Sequence, residues 1–578
     1  MRGKSGDVRF VERSGASLPS IDPHPTNSLA RRGLEWMPVM KHLSILLLAG
    51  TLLSACGGQP ELHSSEAPAP SDPRPNIIII LTDDQRYDAL GVLDPALHTP
   101  NLDRMVQEGT LFTNAFVTTS LCSPSRASLL TGLPMREHGV IDNNSDLPDN
   151  LETFPTVLQG EGYATGMFGK WHLGGEDDSP RPGFDRWVSF AGQGNYYPVS
   201  TRGELSYLNV DGTKVPQKGY ITDELTDYAL DWLDSRKDDS DPFMLYLSHK
   251  AVHAYFQPAE RHEDQYADVE VKDVTPSLDE MREEPMWVQN QRNSWHGADF
   301  PYHTTLSLPE FRRDYYETLS AVDESVGRIF HWLEETGEAD NTIVIFLSDN
   351  GFLFGEHGLI DKRNAFEESM RIPLIAWGPG RIRAGATETA VVTTLDLKPT
   401  LLSVAGAASD QMLEGRSLTP LFKGPADSWN GEVIYEYYWE FNYPHTPTQF
   451  AIRTDRYKYV RNHGVWDTDA LYDLKDDPAE KINLIADPDY LEIRLDLQKR
   501  LHDALADETG KGSVPFSYKF NQGAVFRSPD RSAAAAFPER WMRKDDAVDR
   551  IEHLFPDSPD KDETLRKLWE ANQETSSK

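Results

Sequence analysis

Three unbroken apolar runs limit what this chain can fold into more than any other feature. Ile77-Ile78-Ile79-Ile80-Leu81, Phe243-Met244-Leu245-Tyr246-Leu247 and Ile343-Val344-Ile345-Phe346-Leu347 are continuous rather than alternating. A strand with one wet face alternates apolar and polar residues. An unbroken run needs cover on both faces, as parallel strands between layers of helix have. Helical periods lie between the runs, at 100–108, 154–161, 220–235 and 311–335. The fold expected is therefore α/β, a large mixed, mostly parallel sheet flanked by helices. Further on, 433–439, 450–454 and 457–460 read as strands of a smaller antiparallel sheet, with a helix at 490–505 to cover it.

Two of the runs end in acidic residues, Thr82-Asp83-Asp84-Gln85 and Ser348-Asp349-Asn350-Gly351. Ligands of open α/β sheets gather at the carboxyl ends of strands. Adjacent carboxylates repel unless a cation sits between them, and hard oxygen ligands suit Ca²⁺ or Mg²⁺. If the two strands are neighbours, Asp83, Asp84, Asp349 and Asn350 make one four-ligand cluster; taken singly, an Asp after a strand is more often a cap or turn. A short strand at 164–168 leads to Gly169-Lys170-Trp171-His172. Were it to continue, Lys170 and His172 would share a face at period two. Residues 184–218, rich in Gly, Asn, Tyr and Pro, read as loops over the site. Residues 259–310 read as a loop insertion, either a lid or a plain surface excursion.

The stretch Leu121-Cys122-Ser123-Pro124-Ser125-Arg126-Ala127-Ser128-Leu129-Leu130-Thr131-Gly132 holds the candidate nucleophile. Pro124 suits the first turn of a helix over 125–131, and Gly132 stops it. Cys122 then lies just before the helix N-terminus, and Arg126, one turn on, returns to the same side. A lone cysteine is more often a buried structural residue, so the whole stretch has to decide. It resembles the signature of the type I sulfatases of the alkaline phosphatase superfamily, Cys-x-Pro-x-Arg followed by Ala-Ser-Leu-Leu-Thr-Gly. Gly169-Lys170-Trp171-His172, Gly355-Glu356-His357-Gly358, Phe366 to Pro373 and Leu471 to Pro478 also resemble that family, in its order, over roughly 76–505.

The resemblance implies that a formylglycine-generating or equivalent maturation enzyme oxidises Cys122 to formylglycine, whose hydrated aldehyde attacks sulfur. It implies a metal held by Asp83, Asp84, residue 122, Asp349 and Asn350. It places Arg126 and Lys170 beside the aldehyde and the sulfate, Lys362 as the substrate-binding lysine, and His172 as the base that expels sulfate. His253, with Lys362, would protonate the leaving oxygen. His249 is the weaker alternative, weighed because Tyr255 stands where the family usually has Pro. The Thr-Asp-Asp-Gln and Ser-Leu-Cys-Ser-Pro-Ser-Arg contexts are similar to N-acetylglucosamine-6-sulfatases and related carbohydrate sulfatases, so the expected substrate is a sulfated oligo- or polysaccharide. Two rival readings stand beside this one: a phosphonate or phosphodiester hydrolase of the same superfamily, and a surface lipoprotein that binds sulfated glycans without turnover.

Charge bears on partners. The net charge of −35, from 57 basic and 92 acidic residues, argues against nucleic acid. An anionic substrate must then be attracted locally, inside a cleft. Two cysteines exclude a disulfide framework. Cys56 has its own context: Met40-Lys41-His42, an apolar run over 43–53, then Leu53-Ser54-Ala55-Cys56. That is the layout of a secretory signal, and its end resembles a bacterial lipobox. Cys56 would carry the lipid, the one attachment to a membrane, in the bacterial cell envelope facing periplasm or cell surface; without the lipid the protein would be secreted. The expected organisation is an upstream segment 1–39, with translation beginning at Met40 or Met37, a signal peptide 40–55, a linker 56–75, a catalytic domain 76–425, a C-terminal subdomain 426–509 and an extension 510–578.

Overall fold

The structure, a computed structural model, describes residues 74–506 except 238, 301–305, 427, 428, 430, 441, 442 and 464–466. The segments expected as upstream region and signal peptide, Cys56, most of the expected linker and the expected extension lie outside the described residues. No described helix is long and apolar enough to cross a membrane.

Ten strands form the main sheet: β1 (Asn76–Thr82), β2 (Thr110–Phe112), β3 (Ala164–Lys170), β4 (Arg186–Phe190), β5 (Tyr207–Val210), β6 (Thr213–Pro216), β7 (Phe243–Ser248), β8 (Thr342–Ser348), β9 (Leu374–Trp377) and β10 (Ala386–Glu388). Their order is β10-β2-β9-β8-β1-β7-β3-β4-β5-β6. β8, β1, β7, β3 and β4 run parallel, while β9, β5 and β6 pair antiparallel to their neighbours, so the sheet is mixed and mostly parallel through its centre.

The three apolar runs are the three central strands, and alternation sorts their side chains onto two buried faces. Ile78, Ile80, Leu245, Leu247, Val344 and Phe346 pack against helices Ile221–Asp234 and Leu308–Thr336. Ile77, Ile79, Leu81, Met244, Tyr246, Ile345 and Leu347 pack against helices Cys122–Thr131, Phe154–Gly160 and Leu397–Ala405. Each fully buried large apolar side chain contributes about 2 kcal/mol, which is why neither face tolerates polar interruptions. The long helix opens on Ser307, whose hydroxyl and Glu310 form a capping box.

Residues 184–218 correct the loop reading, since β4, β5 and β6 lie there and extend the sheet to its edge. All three are short, and β5 and β6 are partly exposed, so they lack the apolar signal of the centre. A second sheet, antiparallel, is built from β11 (Val433–Tyr437), β12 (Gln449–Arg453), β13 (Tyr457–Asn462) and β14 (Ala470–Asp473). The Leu491–Leu505 helix covers it, with Leu497, Leu501 and Leu505 packed on Phe450, Ile452, Tyr459 and Leu471.

Candidate active site

β1 is flanked by β7 and β8, with Leu81 opposite Ser248 and Thr82 opposite Ser348. Their carboxyl ends therefore deliver Asp83, Asp84, Asp349 and Asn350 to one place, all with no more than 1 % exposure. The turn after β7 is laced to the end of β1: Asp83 N–H donates to the Ala251 carbonyl at 3.0 Å and Val252 N–H to the Asp83 carbonyl at 2.8 Å. Asp84 sits in the left-handed region at φ 64°, a conformation that costs most residues 1–2 kcal/mol and that Asp tolerates better. Its N–H donates to Asp349 Oδ1 at 3.2 Å, and Asn350 Nδ2 donates to Asp84 Oδ1 at 2.6 Å.

The Cys122–Thr131 helix points its start into this cluster. It begins at Cys122 itself, with Leu121 as the N-cap, so the cysteine is the first helical residue rather than the one before. Gly132 closes the helix in the left-handed conformation, its N–H donating to Ser128 O. Cys122 Sγ lies 3.5 Å from Asp83 Oδ1. Burial, then the Asp83 charge, pushes the thiol up to about 12, so it stays neutral. Arg126 does return to that side: Nε donates to Asp349 Oδ2 at 2.8 Å, Nη1 to the Lys170 carbonyl at 2.8 Å and to Ser248 Oγ at 2.7 Å, and Nη2 is 3.6 Å from Asp83 Oδ2.

Lys170 ends β3 and pairs with Asp83, its ammonium also donating to Gln193 Oε1 at 2.5 Å. Gly169 makes this possible: at φ 119° a Cβ there would lie 1.8 Å from the Ser248 carbonyl oxygen, so only glycine lets β3 close on β7. The period-two expectation for His172 is corrected. The strand stops at Lys170 and His172 is left-handed at φ 53°. It still faces the charges of Lys170, Asp83, Arg126 and Lys362; burial, followed by Lys170, holds it well below the usual imidazole range, so the ring is neutral. Ser123 Oγ fixes its backbone by donating to the His172 carbonyl at 2.5 Å.

Lys362 pairs with Asp84. His253 Nε2 lies 3.8 Å from Asp84 Oδ2. Its Nδ1 is bonded to the Ala254 carbonyl, an acceptor, so Nδ1 carries the hydrogen and Nε2 is left with its lone pair. Burial, then Lys362, keeps this ring neutral as well. His249 is elsewhere: fully buried, with Nε2 3.2 Å from Ser325 Oγ on the long helix. Segment 259–310 brings His296 to 3.3 Å from Asp361, the neighbour of Lys362, and stacks it on Tyr443.

One ligand atom each of Asp83, Asp84 and Asp349 lies within 4.8 Å of the others, as do those of Asp83, Cys122 and His253. Burial, together with the Asp83 and Asp349 charges, pushes Asp84 up to about 7 despite Lys362. Asp84 Oδ2 and Asn350 Oδ1 are buried and have no hydrogen-bond partner. Three carboxylates and one amide, with an idle oxygen on Asp84 and another on Asn350, are a donor set for a hard divalent cation. Sequence reasoning missed Ser248, Gln193 and Tyr196, whose hydroxyl donates to the His253 carbonyl at 2.7 Å. Only Ser248, at the end of an apolar run, carried a local signal.

Residues 75–407 match the family model described as sulfatase, and 355–507 match one described as N-sulphoglucosamine sulphohydrolase, C-terminal. The N-acetylglucosamine-6-O-sulfatase of Bacteroides thetaiotaomicron is 33% identical over 522 residues, 79% of this chain and 90% of that protein. The N-acetylglucosamine-6-sulfatase of Homo sapiens is 31% identical over 396 residues, 63% of this chain and 67% of that protein. A solved structure of a protein in complex with its substrate D-glucosamine-2-N,6-O-disulfate superposes with a TM-score of 0.65 at 32% identity, covering 75% of this chain and 97% of that one.

Proposed function

Because this chain belongs to the sulfatase family and is a sulfuric ester hydrolase, we propose that it removes the 6-O-sulfate of a sulfated glucosamine in a glycan, using the cluster at the ends of β1, β7 and β8. The observation that supports this reading most is the convergence of Asp83, Asp84, Asp349 and Cys122 in one buried cluster. The relatives named for sulfated glucosamine support the substrate.

Asp83, Asp84, Asp349 and Asn350, with residue 122, would hold the cation, and the two idle oxygens fit that role. When bound, Ca²⁺ or Mg²⁺ would neutralise sulfate charge and acidify a hydroxyl beside it, and formylglycine formed from Cys122 would supply that hydroxyl.

The other side chains act in their own right. Arg126, fixed by Asp349 and Ser248, holds positive charge beside residue 122. Lys170 and Lys362 offer ammonium donors to sulfate oxygens while balancing Asp83 and Asp84. His253 presents Nε2 to the cavity; an arriving anionic ester raises its proton affinity, and the proton it gains passes to the leaving sugar oxygen. His172, neutral, would act as a base toward residue 122 once that residue is modified. The leader ending at Cys56 supports export, with a lipid on Cys56 as anchor.

The test uses full-length protein made alongside a maturation enzyme. It is expected to release sulfate from N-acetylglucosamine-6-sulfate in preference to phosphate from the 6-phosphate. Mass spectrometry of the residue-122 peptide should find formylglycine, and folded Cys122→Ala should be inactive. Preference for the phosphate, or turnover by Cys122→Ala, overturns the reading.

A further inference from the structure

The cavity holds a cation that the mechanism above does not use. Lys250 lies two residues past the end of β7, in the turn that is hydrogen-bonded to Asp83. It is 4 % exposed. Arg126, Lys170 and Lys362 each have a carboxylate: Asp349, Asp83 and Asp84 respectively. Lys250 pairs with no carboxylate among the described residues. Its ammonium rests instead on the face of Tyr196, 4.7 Å from the ring centroid.

That position is fixed from both sides. The Tyr196 hydroxyl donates to the His253 carbonyl at 2.7 Å, and His253 N–H donates to the Lys250 carbonyl at 3.0 Å. Tyr196, Lys250 and His253 thus form one braced wall. The wall stands beside the reacting centre: Asp83 N–H donates to the carbonyl of Ala251, the residue after Lys250, and His253 Nε2 lies 3.8 Å from Asp84 Oδ2. A cation in so buried a residue is costly without a counter-charge, and such groups are normally paired. A desolvated cation–π contact offsets about 2 kcal/mol of that cost. The group that completes the pairing has to be an anion that comes and goes.

We propose that Lys250 binds a non-bridging oxygen of the sulfate ester, as a fourth cation of the sulfate pocket on the His253 side. The inference rests on the sulfatase reading above. It assigns Lys250 to the sulfate itself, in the ground state and the transition state alike, so its loss should weaken the binding of ester and of inorganic sulfate together. Burial and the Lys170 charge pull the ammonium down to about 7, the direction expected of a cation waiting for its anion.

The test compares the wild type with Lys250→Met, which keeps length and packing, and Lys250→Arg, which keeps charge. For folded Lys250→Met, kcat/KM for the sulfate ester is expected to fall by about 10–100-fold, through a raised KM with kcat little changed. Inhibition by inorganic sulfate should weaken in parallel, and Lys250→Arg should recover part of both. Unchanged inhibition by inorganic sulfate in folded Lys250→Met overturns the proposal and leaves Lys250 a packing partner of Tyr196. Should Lys250→Met not fold, reductive methylation of the wild type decides: protection of Lys250 by inorganic sulfate supports the assignment, and methylation indifferent to sulfate overturns it. A wild type that hydrolyses no sulfate ester sinks the parent reading, whereas an active wild type matched by Lys250→Met sinks this one alone.

Discussion

Replacing His357 with glutamine should change how the stability of this protein depends on pH, and the structure sets the size. The ring is 3 % exposed and donates from Nδ1 to Glu284 Oε1 at 2.8 Å; Nε2 is 3.9 Å from Glu368 Oε2, and Phe366 stacks on it with centroids 3.6 Å apart. Burial alone would push its pKa down. The hydrogen bond and charge of Glu284, with Glu368 and Glu480 behind, outweigh burial and raise it from 6.5 to about 9. A folded-state pKa above the unfolded one means that the native state holds the extra proton. The stabilisation is complete below pH 6.5 and is lost as pH rises through about 9. Glu480, pushed up to about 7, titrates nearby, so the cleanest window opens at pH 7.5. Between there and pH 10 the imidazolium contribution falls by about 2 kcal/mol, at roughly 1.4 kcal/mol per unit.

The assay is thermal unfolding of wild type and His357→Gln across pH 7.5–10. At the usual unfolding entropy per residue, a domain of this size shifts by about 1 °C per kcal/mol. The Tm gap between the two proteins should therefore narrow by about 2 °C as pH rises, the variant supplying the baseline for every other titrating group. A gap that stays constant, or widens, refutes the claim that a buried imidazolium holds Glu284, Glu368 and the helix start at 367 together.

Two further outcomes follow from the site. Chelation with EDTA should abolish sulfate release and lower Tm, since a cation at 100 times its Kd adds about 2.7 kcal/mol to the native state; Ca²⁺ should restore both, and activity that survives chelation contradicts the assignment of Asp83, Asp84, Asp349 and Asn350. Arg126→Met strands Asp349 without its 2.8 Å partner; unfolding should cost about 3–5 kcal/mol less, read by urea denaturation, and any folded enzyme should lose about 10²–10³ in kcat/KM.

What could be read from the residues, and what could not, divides along a physical line. The central strands announced themselves because burial on two faces forbids polar residues over the whole length of Ile77–Leu81 and its two companions. Their acidic ends could be placed in one site because parallel neighbours finish at the same edge, and the register of Thr82 with Ser348 bears this out. The outer strands β4, β5 and β6 gave no such warning. They are short, β6 is the edge and has no requirement for an apolar run, and Gly- and Asn-rich sequence between them looks like loop. His172 went astray for a related reason: periodicity describes a strand only while the strand lasts, and this one stops at Lys170. Gln193, Tyr196 and Lys250 carry chemistry only through what tertiary folding sets beside them. A glutamine in a loop or a lysine after a strand is ordinary until Lys170, His253 or a sulfate stands opposite. Groups that must bear charge in a dry cavity come in recognisable residue types, and can be found one at a time. Groups that brace or complete them are defined by distance alone, so unpaired buried cations are where a structure adds most to a sequence.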